Sequence, residues 1–283
     1  MTYQQMITLG KEKLREAGVP ESDLDARLLL EYVCGVSRSF LLAHGDEEVP
    51  AGQEERYLEL LRRRGERIPL QHLTGEQDFM GLTFTVNENV LIPRQDTEIL
   101  VEEVLKDMHG GCRILDLCTG SGCILISLLR YSNGCQGVGV DLSEEALGVA
   151  RENAKRLIPE RDCTFLQGDL FAPVEGRFDL LTANPPYIPS ETIRGLMPEV
   201  RDHEPWMALD GLEDGLHFYR RIIKECPPYL NGGAQVFFEI GHDQGEAVMS
   251  LLKEAGFKEV KIVKDYAGLD RVVCGFFNQK DGL

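Results

Sequence analysis

Asn184, Pro185, Pro186 and Tyr187 follow one another at the end of an apolar run, "FDLLTANPPY" (Phe178 to Tyr187). Proline donates no backbone hydrogen bond and fixes its own φ. The tetrapeptide therefore offers two acceptors, the Asn184 side-chain carbonyl and the Pro185 backbone carbonyl, without competing backbone donors. Tyr187 adds a flat face. Such a set suits a planar NH2 group, either an amide or an aromatic amine. Both are weak nucleophiles, because the nitrogen lone pair is delocalised. Two acceptors on the hydrogens would hold the nitrogen in line with an electrophile and push electron density onto it. Positioning and electrostatics, rather than an acid–base side chain, would then carry the rate. Taken alone, the same four residues also read as a rigid turn leaving a strand.

A second group of residues supplies a ligand site. "RILDLCTGSGCILI" (Arg113 to Ile126) is a strand, a glycine-rich turn and a helix, and Gly120 and Gly122 let backbone approach a ligand closely. The dinucleotide fingerprint wants a third glycine where this chain has Leu125. Asp116, in the approach to the turn, would repel a pyrophosphate and attract a cation. Asp141 ends the next strand, 25 residues after Asp116, where a carboxylate grips a ribose diol. Asp169 ends the strand after that, placed to reach an adenine amino group. Each acid alone could be a helix cap or a solvated turn. Together they suit an adenosine ligand that carries positive charge and no phosphate. The pattern resembles that of the class I S-adenosylmethionine (SAM) methyltransferases, D-x-x-x-G-x-G followed by an acid after the second strand.

The elements that must position these groups can be read from periodicity. Residues 1–76 are helical. "DLDARLLLEYVCG" puts Leu24, Leu28, Leu29 and Tyr32 on one helical face, with Ser22 and Asp23 as start signals and Gly35 as the stop. "EERYLELLRRRGER" is a further helix. Residues 77–95 switch to period two through Phe79, Leu82, Phe84 and Val86, then the turn "NEN" and "VLI", which predicts a hairpin linker. "PRQDTEILVEEVLKDM" opens a helix with Asp96 or Thr97 as its cap. From there strands and helices alternate to the end of the chain. Residues 96–283 are thus an α/β domain built on a mostly parallel sheet, with an antiparallel pair of strands at one edge.

Composition limits the alternatives. No apolar run reaches the roughly 18–20 residues of a membrane span, and the N-terminus lacks the basic and apolar blocks of a secretory signal. Eight cysteines include no C-x-x-C pair and the six histidines are scattered. They read as buried small hydrophobes in a reducing cytoplasm, with no metal site. Net charge is −17. Residues 1–76 hold 10 Lys and Arg against 14 Asp and Glu, a balance of −4 that leaves −13 for the remainder. Such a surface repels phosphate backbones, so no direct nucleic-acid target is expected and a basic protein fits better. Neither a membrane partner nor an oligomer is expected.

Several longer stretches carry a more specific resemblance. They are "GERIPLQHLTGEQDFMGLTFTVNENVLIPRQDTEILVE" before the glycine loop, and "NPPYIP", "EPWMALDGLEDGLHFYRRII", "EIGHDQGE" and "YAGLDRVV" after it. Over nearly the whole chain they resemble the PrmC/HemK family, whose members methylate the glutamine side-chain amide in the Gly-Gly-Gln motif of peptide-chain release factors. The resemblance implies a seven-stranded, Rossmann-like SAM-dependent methyltransferase domain, a small all-helical N-terminal substrate-docking domain and a hairpin linker. It places SAM contacts on Cys118, Thr119, Gly120, Ser121, Gly122, Asp141, Asp169, Leu170 and Asn184, and the candidate cofactor set further includes Asp116 and Leu142. It places the substrate on Asn184, Pro185, Pro186 and Tyr187, with Arg94 at the entry, and catalysis on Asn184, Pro185 and Tyr187. Gln95 stands where the family often has proline, and Leu170 where it often has an aromatic residue. A ribosomal-protein glutamine methyltransferase and an adenine-N6 or guanine-N2 methyltransferase share the Asn-Pro-Pro-Tyr turn and are the alternatives. A binding module with a degenerate site is a third, opposed by the intact loop and acids.

Overall fold

The structure is a computed structural model that describes residues 1–278. The chain separates into two compact units. The smaller comprises Met1–Glu76 together with a detached segment, Met197–His203. Its helices are α1 (Tyr3–Glu16), α2 (Ser22–Cys34), α3 (Arg38–Ala43), α4 (Gln53–Gly65) and α5 (Leu70–Thr74). At the start of α1, the Gln5 amide N–H donates to the Thr2 hydroxyl, and the Thr2 N–H donates to the Gln5 side chain, a reciprocal capping box. Met6, Leu14, Leu29, Leu30, Tyr57 and Leu61 form the core. The Tyr57 hydroxyl donates to the Ala26 carbonyl at 2.9 Å. Gly10 is needed beside it, since a Cβ there would stand 2.1 Å from that oxygen.

The inward face of α2 is displaced from the expected one. Asp25, Ala26, Leu29, Leu30 and Val33 are buried, whereas Leu24 and Tyr32 are exposed. A carboxylate lies on the buried stripe because it is paired. Arg64 Nε meets Asp25 Oδ2 at 2.7 Å, and Arg64 Nη2 meets Glu199 Oε1 at 3.0 Å. Arg67 forks onto both Glu199 oxygens at 2.7 and 2.6 Å. Burial works against ionisation of Glu199, but the arginine hydrogen bonds prevail and hold its carboxyl below the usual range. Removing one partner of a buried network leaves a desolvated charge. Arg64 keeps Asp25 and Arg67 is partly solvated, so Glu199→Ala is expected to cost about 2 kcal/mol, read from urea unfolding followed by helical circular dichroism.

The larger unit comprises Gln77–Leu196 and the chain from Glu204 onward. It opens with a two-stranded hairpin, β1 (Glu76–Phe79) and β2 (Leu82–Thr85). The turn falls at Met80 and Gly81, with φ of 50° and 69°, the double positive φ of a tight hairpin turn. It does not fall at the expected "NEN". Two residues suffice to reverse the chain, so "VLI" is loop rather than strand. Helix α6 (Gln95–Asp107) has Arg94 at its N-cap. Asp96 and Thr97 therefore occupy its first turn, not the expected cap.

Then follow β3 (Arg113–Leu117), α7 (Cys123–Tyr131), β4 (Gln136–Asp141), α8 (Glu144–Leu157), β5 (Asp162–Gln167), β6 (Phe178–Ala183), the short helices α9 (Ser190–Ile193), α10 (Pro198–Arg201) and α11 (Trp206–Leu209), α12 (His217–Glu225), β7 (Leu230–Glu239), α13 (Gly245–Glu254), β8 (Lys258–Lys264) and β9 (Asp270–Phe276). The seven strands lie in the order β5-β4-β3-β6-β7-β9-β8. All described pairings are parallel except those of β9, which runs antiparallel to both neighbours. Apolar clusters cover both faces: one is built on Leu100, Leu125 and Leu128, the other on Phe178, Tyr219 and Phe238. Among the described residues no helix is long and apolar enough to cross a membrane, and all eight cysteines are free thiols.

Candidate active site

The sheet order reverses at β3. β4 and β5 continue to one side of it, and β6 and β7 to the other. In doubly wound sheets the ligand crevice lies beyond the carboxyl ends of the strands at such a switch point. Leu117 and Ala183 are register partners across β3 and β6. The glycine loop from Cys118 and the turn from Asn184 therefore leave adjacent strands at the same level. Neither position is an accident of loop packing; the register sets both.

A cavity of about 340 Å³ opens there. Of the expected site residues, Arg94, Cys118, Thr119, Gly120, Ser121, Asp141, Leu142, Asp169, Leu170, Asn184 and Pro186 line it, and Asp116, Gly122, Pro185 and Tyr187 do not. Gln95 is exposed and outside the lining, although its neighbours Arg94 and Thr97 belong to it. Cys118 and Leu170 both have positive φ, 58° and 51°, an uncommon backbone state for side chains of this size that persists where the surroundings enforce it. The charged lining is Glu88, Glu145, Asp141 and Asp169 against Arg94 alone. That balance fits a cationic ligand.

Asp116 acts one layer behind the cavity. It is fully buried, and its two oxygens accept from the Thr182 hydroxyl at 2.7 Å and the Thr119 hydroxyl at 2.6 Å. It thereby ties the glycine loop to the strand that delivers Asn184. Burial pushes its carboxyl up to about 7, against the pull of the two hydroxyls. Asp116 is absent from the cavity lining, and both of its oxygens are engaged by these hydroxyls. Asp141 is also tied to the backbone. It accepts from the Gly120 N–H at 2.9 Å and from the Ser143 N–H at 3.0 Å. Burial raises its proton affinity while those N–H groups lower it. Asp169 faces the cavity rim and pairs with Arg221 at 3.0 and 3.1 Å.

Asn184 differs from all of these. Among the described residues its side-chain amide makes no hydrogen bond, although it is only half-exposed and lies on the cavity wall. An amide held at the end of a rigid strand and left uncommitted is free for a ligand. Arg94 is anchored by Glu204, whose Oε2 receives Nη2 at 2.6 Å and whose Oε1 receives the Ile92 N–H at 3.4 Å. Glu204, Arg221, Thr182 and the apolar rim of Pro205, Met207, Ala208 and Phe218 were not among the expected site residues. Thr182 carried a local signal, a polar residue in an otherwise apolar strand, and the others lie in the family stretch from Glu204 to Ile223.

A seven-stranded sheet of this order, with a glycine loop and an uncommitted amide leaving its two central strands together, defines a methyltransferase of the class I fold. Residues 108–224 match the family model described as a methyltransferase domain, and residues 5–75 match the PrmC N-terminal domain. A methyltransferase from Pyrococcus furiosus shares the fold at a TM-score of 0.54 and 17% identity, over 80% of this chain and 99% of its own. The release factor glutamine methyltransferase of Caulobacter vibrioides is 42% identical over 98% of this chain and 97% of its own. That of Geobacter sulfurreducens is 39% identical over 97% and 96%. The chain belongs to the release factor glutamine methyltransferase family.

Proposed function

We propose that this protein transfers a methyl group from S-adenosylmethionine to the side-chain amide nitrogen of the glutamine in the Gly-Gly-Gln motif of peptide-chain release factors, acting as a monomer in the cytoplasm. The observation that carries the reading is Asn184: an unpaired amide acceptor, on the cavity wall, level with the glycine loop. When bound, S-adenosylmethionine supplies an electrophilic methyl on a sulfonium. Asp141 is placed for the ribose hydroxyls, Asp169 and Leu170 for the adenine, and the loop from Cys118 to Gly122 for the remainder. The acidic lining favours the cation.

Asn184 Oδ1 and the Pro185 carbonyl accept the two amide hydrogens of the substrate glutamine. That places the nitrogen lone pair in line with the methyl and raises its electron density as the carbonyl conjugation weakens. With the amide so held by Asn184 and the Pro185 carbonyl, the nitrogen would take the methyl that the sulfonium supplies, the electrons of the broken bond remaining with the cofactor. The product nitrogen then sheds one proton to solvent, so no general base is required. Arg94, held by Glu204, guards the entry. Residues 1–76 serve to dock the release factor.

Incubation with methyl-labelled S-adenosylmethionine and a release factor is expected to label the factor, and a Gln-to-Ala change in its Gly-Gly-Gln motif is expected to abolish the label. Equal labelling of the two would overturn the reading. Labelling of a ribosomal protein or an RNA in preference to the release factor would do the same.

A further inference from the structure

Two of the family stretches, "EIGHDQGE" and "YAGLDRVV", contribute nothing to the cavity lining. They meet instead at the far side of the Asn-Pro-Pro-Tyr turn. Glu239, the last residue of β7, is buried. Its Oε1 accepts the Tyr187 hydroxyl at 3.3 Å, and its backbone carbonyl accepts the Tyr219 hydroxyl at 2.7 Å. Five residues on, Gln244 Nε2 donates to the Tyr187 carbonyl at 3.0 Å and to the Gly215 carbonyl at 3.4 Å. Gln244 Oε1 is itself fixed by the Gly241 N–H at 2.9 Å. The Tyr187 backbone is also closely packed: a Cβ at Gly211 would stand 2.7 Å from the Tyr187 carbonyl carbon, and one at Gly215 2.2 Å from its oxygen. Arg271, from the last stretch, packs beside this group, with Nη1 on the Ile240 carbonyl at 3.4 Å and Nη2 on Asp96 at 3.1 Å.

A buried carboxyl is a poor choice for stability alone. Glu239 Oε2 has no hydrogen-bond partner among the described residues, and an apolar residue of similar size would avoid that desolvation. Besides interacting with Thr97 and facing the Arg271 charge, the carboxyl accepts the Tyr187 hydroxyl, which an apolar residue cannot do. Pro185 and Pro186 fix the φ angles between Tyr187 and Asn184, so an orientation imposed on Tyr187 is passed to Asn184.

We propose that Glu239 and Gln244 are positioning residues for methyl transfer, gripping Tyr187 by its hydroxyl and its carbonyl and thereby aiming Asn184 and the Pro185 carbonyl at the substrate amide. The inference rests on the assignment of Asn184 as the amide acceptor. Wild-type turnover of a release factor, measured in the same assay, tests that assignment separately. Glu239→Leu is expected to lower kcat by about 10- to 100-fold, with S-adenosylmethionine affinity and the KM for the release factor changed less than about twofold. Glu239→Gln, which still offers an acceptor to Tyr187, restores most of the loss. In a Tyr187→Phe background, where the hydroxyl is already gone, Glu239→Leu has little further effect. If Glu239→Leu fails to fold, Gln244→Met tests the grip on the carbonyl with the same kcat signature. The inference is overturned by an active wild type in which Glu239→Leu (or its Gln244→Met substitute) keeps kcat or loses cofactor binding in step with kcat. It is equally overturned if Glu239→Leu slows the Tyr187→Phe enzyme by the same factor as the wild type.

Discussion

Asn184→Ala is expected to lower kcat by two to three orders of magnitude, about 3–4 kcal/mol of transition-state stabilisation, while S-adenosylmethionine binds within about threefold of wild type. The split follows from geometry. Asn184 sits on the cavity wall with its amide uncommitted, so its removal breaks no bond within the protein. The loop on the neighbouring strand is fixed independently, by Asp116 through Thr119 and by Asp141 through Gly120. Losing an acceptor used only when the amide develops positive charge depresses kcat and kcat/KM together. Asn184→Asp keeps an acceptor but adds a charge beside an acidic lining, and is expected to fall between the two. Single-turnover rates with calorimetric measurement of cofactor binding check the prediction. A large loss of cofactor affinity with turnover preserved would remove Asn184 from its role.

Asp116→Ala is the second large effect, and it reaches both stability and binding. The change strands the Thr119 and Thr182 hydroxyls in a fully buried position, and buried donors left without acceptors cost about 1–3 kcal/mol each. The sum is about 4 kcal/mol, and cofactor affinity is expected to fall at least tenfold as the loop loosens. Asp116→Asn retains an acceptor for one hydroxyl and separates shape from charge. Because burial raises the folded-state carboxyl to about 7, the folded protein holds this proton more tightly than the unfolded chain does. The resulting stability is fully present below the unfolded value of roughly 4 and is lost as pH rises through 7. Relative to Asp116→Asn, wild-type stability is therefore expected to decline between pH 5 and 7, by up to about 1.4 kcal/mol per unit, and to level off above. Urea unfolding of the two proteins across that range measures it; a difference that stays flat or rises would show that Asp116 is ionised throughout.

These expectations show which parts of the molecule local sequence carries and which it does not. The strand–helix alternation and the glycine loop were legible because their causes are local: side-chain period, turn chemistry, and a backbone that only Gly120 and Gly122 tolerate easily. The tetrapeptide from Asn184 stood out because prolines remove donors wherever they occur, and of its residues Asn184 and Pro186 line the cavity. What could not be read were polar partnerships across long separations. Arg64 and Arg67 meet Glu199 from 135 and 132 positions away, and Arg94 meets Glu204 from 110. No periodicity marks such pairs, and each side chain alone looks like a solvated surface charge. The same blindness displaced the face of α2, where Asp25 is buried by its partner, and hid the bond from Thr182 to Asp116, 66 positions apart. The hairpin turn moved for a different reason. Met80 adopts positive φ without being glycine or asparagine, so the usual turn residues in "NEN" drew attention away from it.

The central claim is that the uncommitted Asn184 amide exists to hold a glutamine side-chain NH2 for methylation. Tandem mass spectrometry of a release factor after incubation with this protein and S-adenosylmethionine tests it most directly. A single methyl is expected on the side-chain nitrogen of the Gly-Gly-Gln glutamine, formed by the wild type and lost with Asn184→Ala. A methyl on any other atom, or one that forms equally well without the Asn184 amide, would contradict it.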